Sequence, residues 1–112
     1  MTTYEQLLAD CIRWAKEAGR IQLELFRSDR LDIEAKFNDS DVVTNADKAS
    51  EKAIISEIRR AYPEHSVLSE EAGCDKRMND WLWVIDPLDG TTNYSSGLPN
   101  FCVSIGVQHK GQ

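Results

Sequence analysis

Six carboxylates fall where the chain changes character. Asp41 and Asp47 bracket the approach to a helix-like segment, Glu70 and Glu71 follow a short apolar run, and Asp86 and Asp89 follow a longer one. The last pair lies in Trp83–Tyr94, WVIDPLDGTTNY. There three apolar residues run into an acid, a proline, a second acid, a glycine and two threonines, with no Lys or Arg in the stretch. If the preceding strands share a sheet, these acids converge at one edge. Two unit charges 4 Å apart repel by about 4 kcal/mol at an effective dielectric of about 20. Either the side chains diverge into water or a cation sits among them. Oxygen donors with no His or Cys beside them favour Mg2+, Mn2+ or Ca2+ over zinc. Pro87 stiffens the bend, and Gly90 lets the backbone come close to a ligand. Thr91 and Thr92 supply hydroxyls, and their amides could open a helix whose N-terminus receives an anion.

Simpler roles compete for the same residues. Asp-Pro and Asp-Gly are common turn pairs, so Asp86 and Asp89 could merely shape a turn. Glu70 and Glu71 read equally well as a solvated pair. Asp47 stands three residues after Thr44, the spacing of a capping box, and spacing alone favours that role. Lys36 is most simply a surface lysine.

The elements that must position these groups follow from periodicity. Residues from about Tyr4 to Phe26 predict one long amphipathic helix with two overlapping apolar stripes. One stripe is Tyr4, Leu8, Cys11, Ala15, Ala18 and Leu25; the other is Leu7, Cys11, Trp14, Ala18, Ile21 and Leu25. Leu31, Ile33, Ala35 and Phe37 then alternate as a short strand, and 38–41 is loop composition. Thr44 opens a second helix, with Ala49, Ala53, Ile54, Ile58 and Ala61 at helical spacing and Pro63 setting its end near Tyr62. His65–Ser69 predicts a short strand, residues 72–80 a charged loop, and Trp81–Asp86 a strong strand. Phe101, Val103, Ile105 and Val107 alternate as another strand, which runs into a Lys110–Gly111 hairpin turn. No strand follows that turn. An unpaired apolar edge is an aggregation hazard, so the chain is expected to be the front part of a longer protein.

Bulk properties narrow the function. At 112 residues, 41% hydrophobic and 29% charged, the chain has ordinary globular composition and one domain's worth of core. No apolar run approaches a membrane span, and the acidic N-terminus is unlike a secretory signal, which predicts a cytoplasmic protein without a membrane partner. A net charge of −6 disfavours nucleic acid as a partner and suits a site that collects cations. Three widely spaced cysteines form no C-x-x-C pair, so neither a disulfide frame nor a zinc site is expected; Cys11 and Cys102 read as small buried thiols and Cys74 as a loop residue.

WVIDPLDGTTNY closely resembles the signature of the inositol monophosphatase family, a W-V/I-I-D-P-[IL]-D-G-T-x-N-F pattern. Asp41–Asp47 is similar to that family's D-x-V-T-x-A-D segment, and Ser69-Glu70-Glu71 to its G/S-E-E. Gly97–Phe101 with Val103–Gly106 is similar to its G-x-P-x-F-x-V-S-I-G/A. Order and spacing agree from end to end. Tyr94 departs from the commoner Phe. The bisphosphate nucleotidases more often have D-G-T-K-E-F, so Thr92-Asn93 favours the inositol phosphatase branch.

The resemblance implies an α+β fold: two long helices packed on an antiparallel sheet, the front domain of the layered α/β/α/β/α sugar-phosphatase fold, with residues 1–112 as its metal- and phosphate-binding domain and the C-terminal domain absent. It implies a Mg2+-dependent phosphomonoesterase with two to three ions and a small phosphomonoester substrate, and a homodimer for the full-length protein. By the same resemblance Glu70, Asp86 and the Leu88 carbonyl would hold one Mg2+. Asp86 and Asp89 would contribute to a second, and Glu70 would lie by a third. The amides of Gly90 and Thr91, with Thr92 beside them, would receive the phosphate. Thr91, bonded to Asp47, would orient and help deprotonate the attacking water with Glu70 as base; Asp47 would then cap its helix and serve this pair together. Lys36 and Glu71 would stand near the metal ligands, and His65 and His109 would be bystanders. The alternatives are a 3'(2'),5'-bisphosphate nucleotidase, a fructose-1,6-bisphosphatase relative, or a metal-binding fragment without turnover. The family's W-D-x-A segment, whose Asp completes the second metal site, is not among these residues.

Overall fold

The computed structural model describes residues 3–28, 31, 33–35, 42–70 and 72–111. Helix α1 spans Tyr4–Leu25 and starts at a reciprocal cap: the Thr3 hydroxyl accepts from the Gln6 amide while the Gln6 side chain accepts from the Thr3 amide. Strands β1 (Ile33–Ala35) and β2 (Val42–Thr44) pair antiparallel, and helix α2 (Asn45–Ala61) follows β2 without a gap. Tyr62 is the C-cap of α2, immediately before Pro63. After it come β3 (Ser66–Ser69), β4 (Gly73–Asp75), β5 (Trp81–Asp89), the single turn α3 (Thr91–Ser95) and β6 (Cys102–His109).

Both long helices lie against a four-stranded sheet of order β4-β3-β5-β6. Leu7, Trp14 and Ala18 of α1 and Ile54 and Ile58 of α2 bury themselves on Val67 of β3 and Trp83 and Ile85 of β5. This is the expected α+β architecture. One pairing differs from expectation: β3 runs parallel to β5, so the sheet is mixed rather than antiparallel throughout. The 72–80 segment, expected as loop, contains β4, which pairs antiparallel on the outer side of β3 before the chain crosses back. Gly73-Cys74-Asp75 has no apolar alternation to announce a strand, because all three residues are exposed on an edge.

Only one of the two stripes on α1 is used. Leu7, Trp14 and Ala18 are buried, whereas Tyr4 is 76% and Leu8 62% exposed. On β6, Val103, Ile105 and Val107 face the core, and Cys102 faces out with the opposite parity. The expectation of a buried Cys102 thiol is therefore corrected; Cys11 is half-buried and Cys74 exposed. Lys110 (φ 55°) and Gly111 (φ 80°) both take the left-handed conformation that a tight hairpin turn uses. Among the described residues no helix is long and apolar enough to cross a membrane.

A ladder of rings closes the end of the core away from the acids. His65 stacks between Tyr62 (4.8 Å between centroids) and Trp81 (5.6 Å), and Trp81 stacks on His109 at 4.0 Å. The buried His65 is structural: its Nδ1 accepts from the indole N–H of Trp83 at 2.9 Å, which requires a neutral ring at that nitrogen. Burial, with His109 adding, lowers the His65 pKa against the opposing pull of Glu64. In acid the unfolded chain thus binds a proton that the folded one resists, and stability present above the ordinary histidine pKa is lost as pH falls through it. The urea midpoint is expected to drop between pH 7.5 and 5.0, and to drop less in His65→Gln, which keeps an acceptor but does not titrate. Equal acid losses in the two proteins would dismiss this role.

Candidate metal and phosphate site

The acids gather where β5 leaves the sheet. A strict strand alternates faces every residue, so Asp86 and Asp89, three apart, would point to opposite sides. Here Asp86 pairs with Ser104 and Asp89 with Cys102, so β5 advances three residues while β6 advances two. The extra residue is a β-bulge, the device that re-aims a side chain near the end of a strand. It also explains Pro87. Proline is excluded from the middle of a central strand except at such an interruption, and Pro87 sits there fully buried. Past the bulge Gly90 turns the chain with φ 88°, and its missing side chain lets it pass against the Asn100 carbonyl. As N-cap of α3 it offers no side chain to that helix's first amides.

Helix α2 brings the fourth acid from the other side. Thr44 and Asp47 form the expected capping box, in which the Asp47 amide donates to Thr44 Oγ1 at 3.2 Å and Asp47 Oδ2 accepts from the Thr44 amide at 2.8 Å. The Thr44 hydroxyl donates to the same oxygen at 2.6 Å. The second oxygen, Oδ1, accepts from the Thr91 hydroxyl at 2.8 Å. Asp47 is only 4% exposed, so the cap and the Thr91 contact coexist on one buried carboxylate. Thr91 Oγ1 also stands 3.0 Å from the Leu88 carbonyl. A hydroxyl has one proton, so donation to Asp47 leaves the Leu88 oxygen available to another partner.

Asp86 is the electrostatic centre. Burial, foremost, raises its pKa, and the charges of Asp89 and Asp47 add to that; hydrogen bonds with Glu70 and from the Leu88 amide pull the other way. Three other carboxylates therefore act on Asp86. Among the described residues Asp86 Oδ1 is buried with no hydrogen-bond partner. A buried charged oxygen without a partner is costly, and a cation or a water is what would satisfy it. Among the described residues no group of three or more His, Cys, Asp and Glu side chains stands arranged to hold a metal ion by itself. Mg2+ does not require one, since it keeps several waters and takes one or two carboxylates together with substrate oxygens. An oxygen-only donor set with a partnerless carboxylate oxygen fits a hard divalent ion.

The structure thus brings together Asp47, Glu70, Asp86, Leu88, Asp89, Gly90 and Thr91, with Thr92 exposed one residue on in α3. Lys36, Asp41 and Glu71 lie outside the described residues. Cys102, across the ladder from Asp89, points its thiol at that carboxylate at 3.8 Å; burial and the Asp89 charge push the thiol pKa up. Beneath the site a second small core joins Ala46, Leu88 and Tyr94 to Leu25, Phe26, Leu31 and Phe101. The Tyr94 hydroxyl donates to the Gln22 carbonyl at 2.6 Å, and its pKa is pushed up to about 12 by burial and then by Asp47. The aromatic departure at this position therefore carries a buried bond. Sequence reasoning passed over Gln22, whose side chain reaches Pro87. The available signal was a polar residue four positions after Ala18, on the buried stripe of α1.

The chain matches the model of the inositol monophosphatase family over residues 3–112. It is 47% identical over 108 residues to a Pasteurella multocida protein named Nus factor SuhB, covering 95% of this chain and 40% of that one. Nothing in the charge or motifs of this chain foreshadows the name Nus factor. Its fold is similar to Thermotoga maritima IMPase, with a TM-score of 0.83 at 34% identity over 94% of this chain and 40% of that one. It is equally similar, with a TM-score of 0.83 at 25% identity over 99% of this chain and 42% of the other, to an IMPase/NADP phosphatase complexed with Mg2+ and phosphate. The chain thus spans about two-fifths of the length of the proteins it matches.

Proposed function

The chain belongs to the inositol monophosphatase family, and on that footing we propose that residues 1–112 form the amino-terminal metal- and phosphate-binding domain of a Mg2+-dependent phosphomonoesterase. The substrate is inositol monophosphate or a related sugar or polyol phosphate. The observation that carries this reading is the buried oxygen of Asp86 that has no hydrogen-bond partner among the described residues, set among Asp47, Glu70 and Asp89.

In this reading Glu70, Asp86 and the Leu88 carbonyl would hold one Mg2+, Asp86 and Asp89 would contribute to a second, and Glu70 would lie by a third. Mg2+, when bound, would neutralise the phosphate dianion and make water a better nucleophile. The protein's own part is positioning. Asp47 fixes the Thr91 hydroxyl, whose lone pairs are left to accept from the attacking water, and Glu70 takes its proton. The amides of Gly90, Thr91 and Thr92 receive the phosphate at the start of α3, whose N-cap Gly90 brings no side chain of its own. No covalent phosphoenzyme is needed, since a water held by Thr91 and Glu70 would be the nucleophile. Unpaired cysteines suit a reducing compartment, in keeping with a cytoplasmic enzyme.

Phosphate release by the protein made from its natural gene tests the proposal. It should hydrolyse inositol 1-phosphate with Mg2+, stop on chelation, and prefer that substrate to fructose 1,6-bisphosphate and to a 3',5'-bisphosphate nucleotide. Residues 1–112 alone should release little. Absence of Mg2+-dependent release from every phosphomonoester by the natural protein would refute the enzyme; equal activity of residues 1–112 alone would refute the division of labour.

A further inference from the structure

Gln22 is a polar residue where α1 should be apolar. It is 1% exposed, and its carboxamide nitrogen spends both protons on distant elements. One goes to Ser50 Oγ of α2 at 3.1 Å and the other to the Pro87 carbonyl of β5 at 2.6 Å. Its own backbone carbonyl accepts from the Tyr94 hydroxyl of α3 at 2.6 Å. One residue of α1 is therefore bonded to each of the three elements that supply Asp47, the Asp86–Asp89 bulge and Thr91.

The bond to Pro87 has the most direct effect. The Pro87 carbonyl and the Leu88 amide belong to one planar peptide unit. That plane links Asp86 to the Leu88 carbonyl, so the 2.6 Å bond to the Pro87 oxygen fixes the backbone from which both project. A bulge interrupts the ladder that otherwise holds such a plane, and Pro87 has no N–H to contribute. We propose that Gln22 is a positioning residue for the metal site: through the Pro87–Leu88 peptide it fixes the Asp86 carboxylate and the Leu88 carbonyl that follows. The inference rests on the reading of Asp86 and Leu88 as metal ligands.

Calorimetric titration of Mn2+, added as the chloride, into the natural protein is the test. Gln22→Met keeps the volume and removes the donor; Gln22→Glu keeps the shape and presents oxygen to the Pro87 carbonyl. Ser50→Ala removes the other partner of the same carboxamide and is the structural control. Both Gln22 variants are expected to bind Mn2+ about tenfold more weakly, the range seen when the partner that orients a metal ligand is removed. Ser50→Ala should bind as the unmodified protein does, whatever its melting temperature. Wild-type affinity in the Gln22 variants, or an equal loss in Ser50→Ala, overturns the proposal. Failure of both Gln22 variants to fold also overturns it and makes Gln22 a residue of the core. If the unmodified protein itself bound no Mn2+, the fault would lie with the metal site and not with Gln22.

Discussion

Turnover by an Asp89→Asn variant of the natural protein is expected to fall by roughly two to three orders of magnitude, because metal ligation supplies several kcal/mol of transition-state stabilisation and each 1.36 kcal/mol is tenfold. The metal-free fold should survive the change and become slightly more stable. Asp89 is exposed and lies beside the partly buried Asp86, whose pKa is raised first by burial and then by the Asp89 charge. The sign follows from that shift. A carboxyl with a raised folded pKa holds its proton better when folded, so its ionisation destabilises the fold as pH rises through that pKa. Asp89→Asn removes one cause of the shift, so the metal-free variant should lose less stability between pH 4 and 7 than the unmodified protein. Steady-state rates at saturating Mg2+, with melting curves in chelator, measure both effects. A variant that unfolds without metal would make Asp89 a turn residue, and one with unchanged turnover would remove it from the ligand set.

Gly90→Ala should be the most damaging small change to the fold. With φ at 88°, any side chain incurs the left-handed penalty of about 1–2 kcal/mol. The new Cβ would also lie 2.8 Å from the Asn100 carbonyl oxygen and 3.3 Å from the Phe101 Cα, backbone atoms that cannot swing aside. Overpacking of this kind costs typically about 1–3 kcal/mol. The sum corresponds to a fall in melting temperature on the order of 10 °C or more for a domain of this size. Gly73 provides the comparison: its φ is 77°, but nothing lies within 4 Å of its Cβ position. Gly73→Ala should show the conformational penalty alone, and a pair of variants with equal melting temperatures would contradict the clash at Gly90.

Much of the scaffold was legible because it is local. The 3.6-residue stripe of α1, the Thr44–Asp47 box and the stop at Tyr62–Pro63 are written in neighbouring residues. The structure returns them as helices Tyr4–Leu25 and Asn45–Ala61. The parallel pairing of β3 with β5 was not legible, since an apolar run carries no sign of its partner's direction. Nor was the outward face of Cys102, which depends on which parity of β6 meets the helices. On periodicity alone Asp47 was a cap and nothing more. The bond from Thr91 spans 44 positions of sequence, so the second use of that carboxylate came from the family resemblance and not from local pattern. Gln22 was hidden for the same reason, as its bond to Pro87 spans 65 positions.

The bulge in β5 makes the site a matter of counting. Two acids three positions apart stand together only while the strand holds one more residue than its neighbour at that point. Loss of a single residue between Asp86 and Asp89 would restore even alternation and still leave both acids on one face, but next to each other along a straight strand with no proline niche and no turn at Gly90. Gain of one would shift everything downstream by half a pleat and turn Gly90, Thr91 and β6 out of phase with the helices. Substitutions can therefore be graded by chemistry, whereas insertions and deletions in these few positions act on phase.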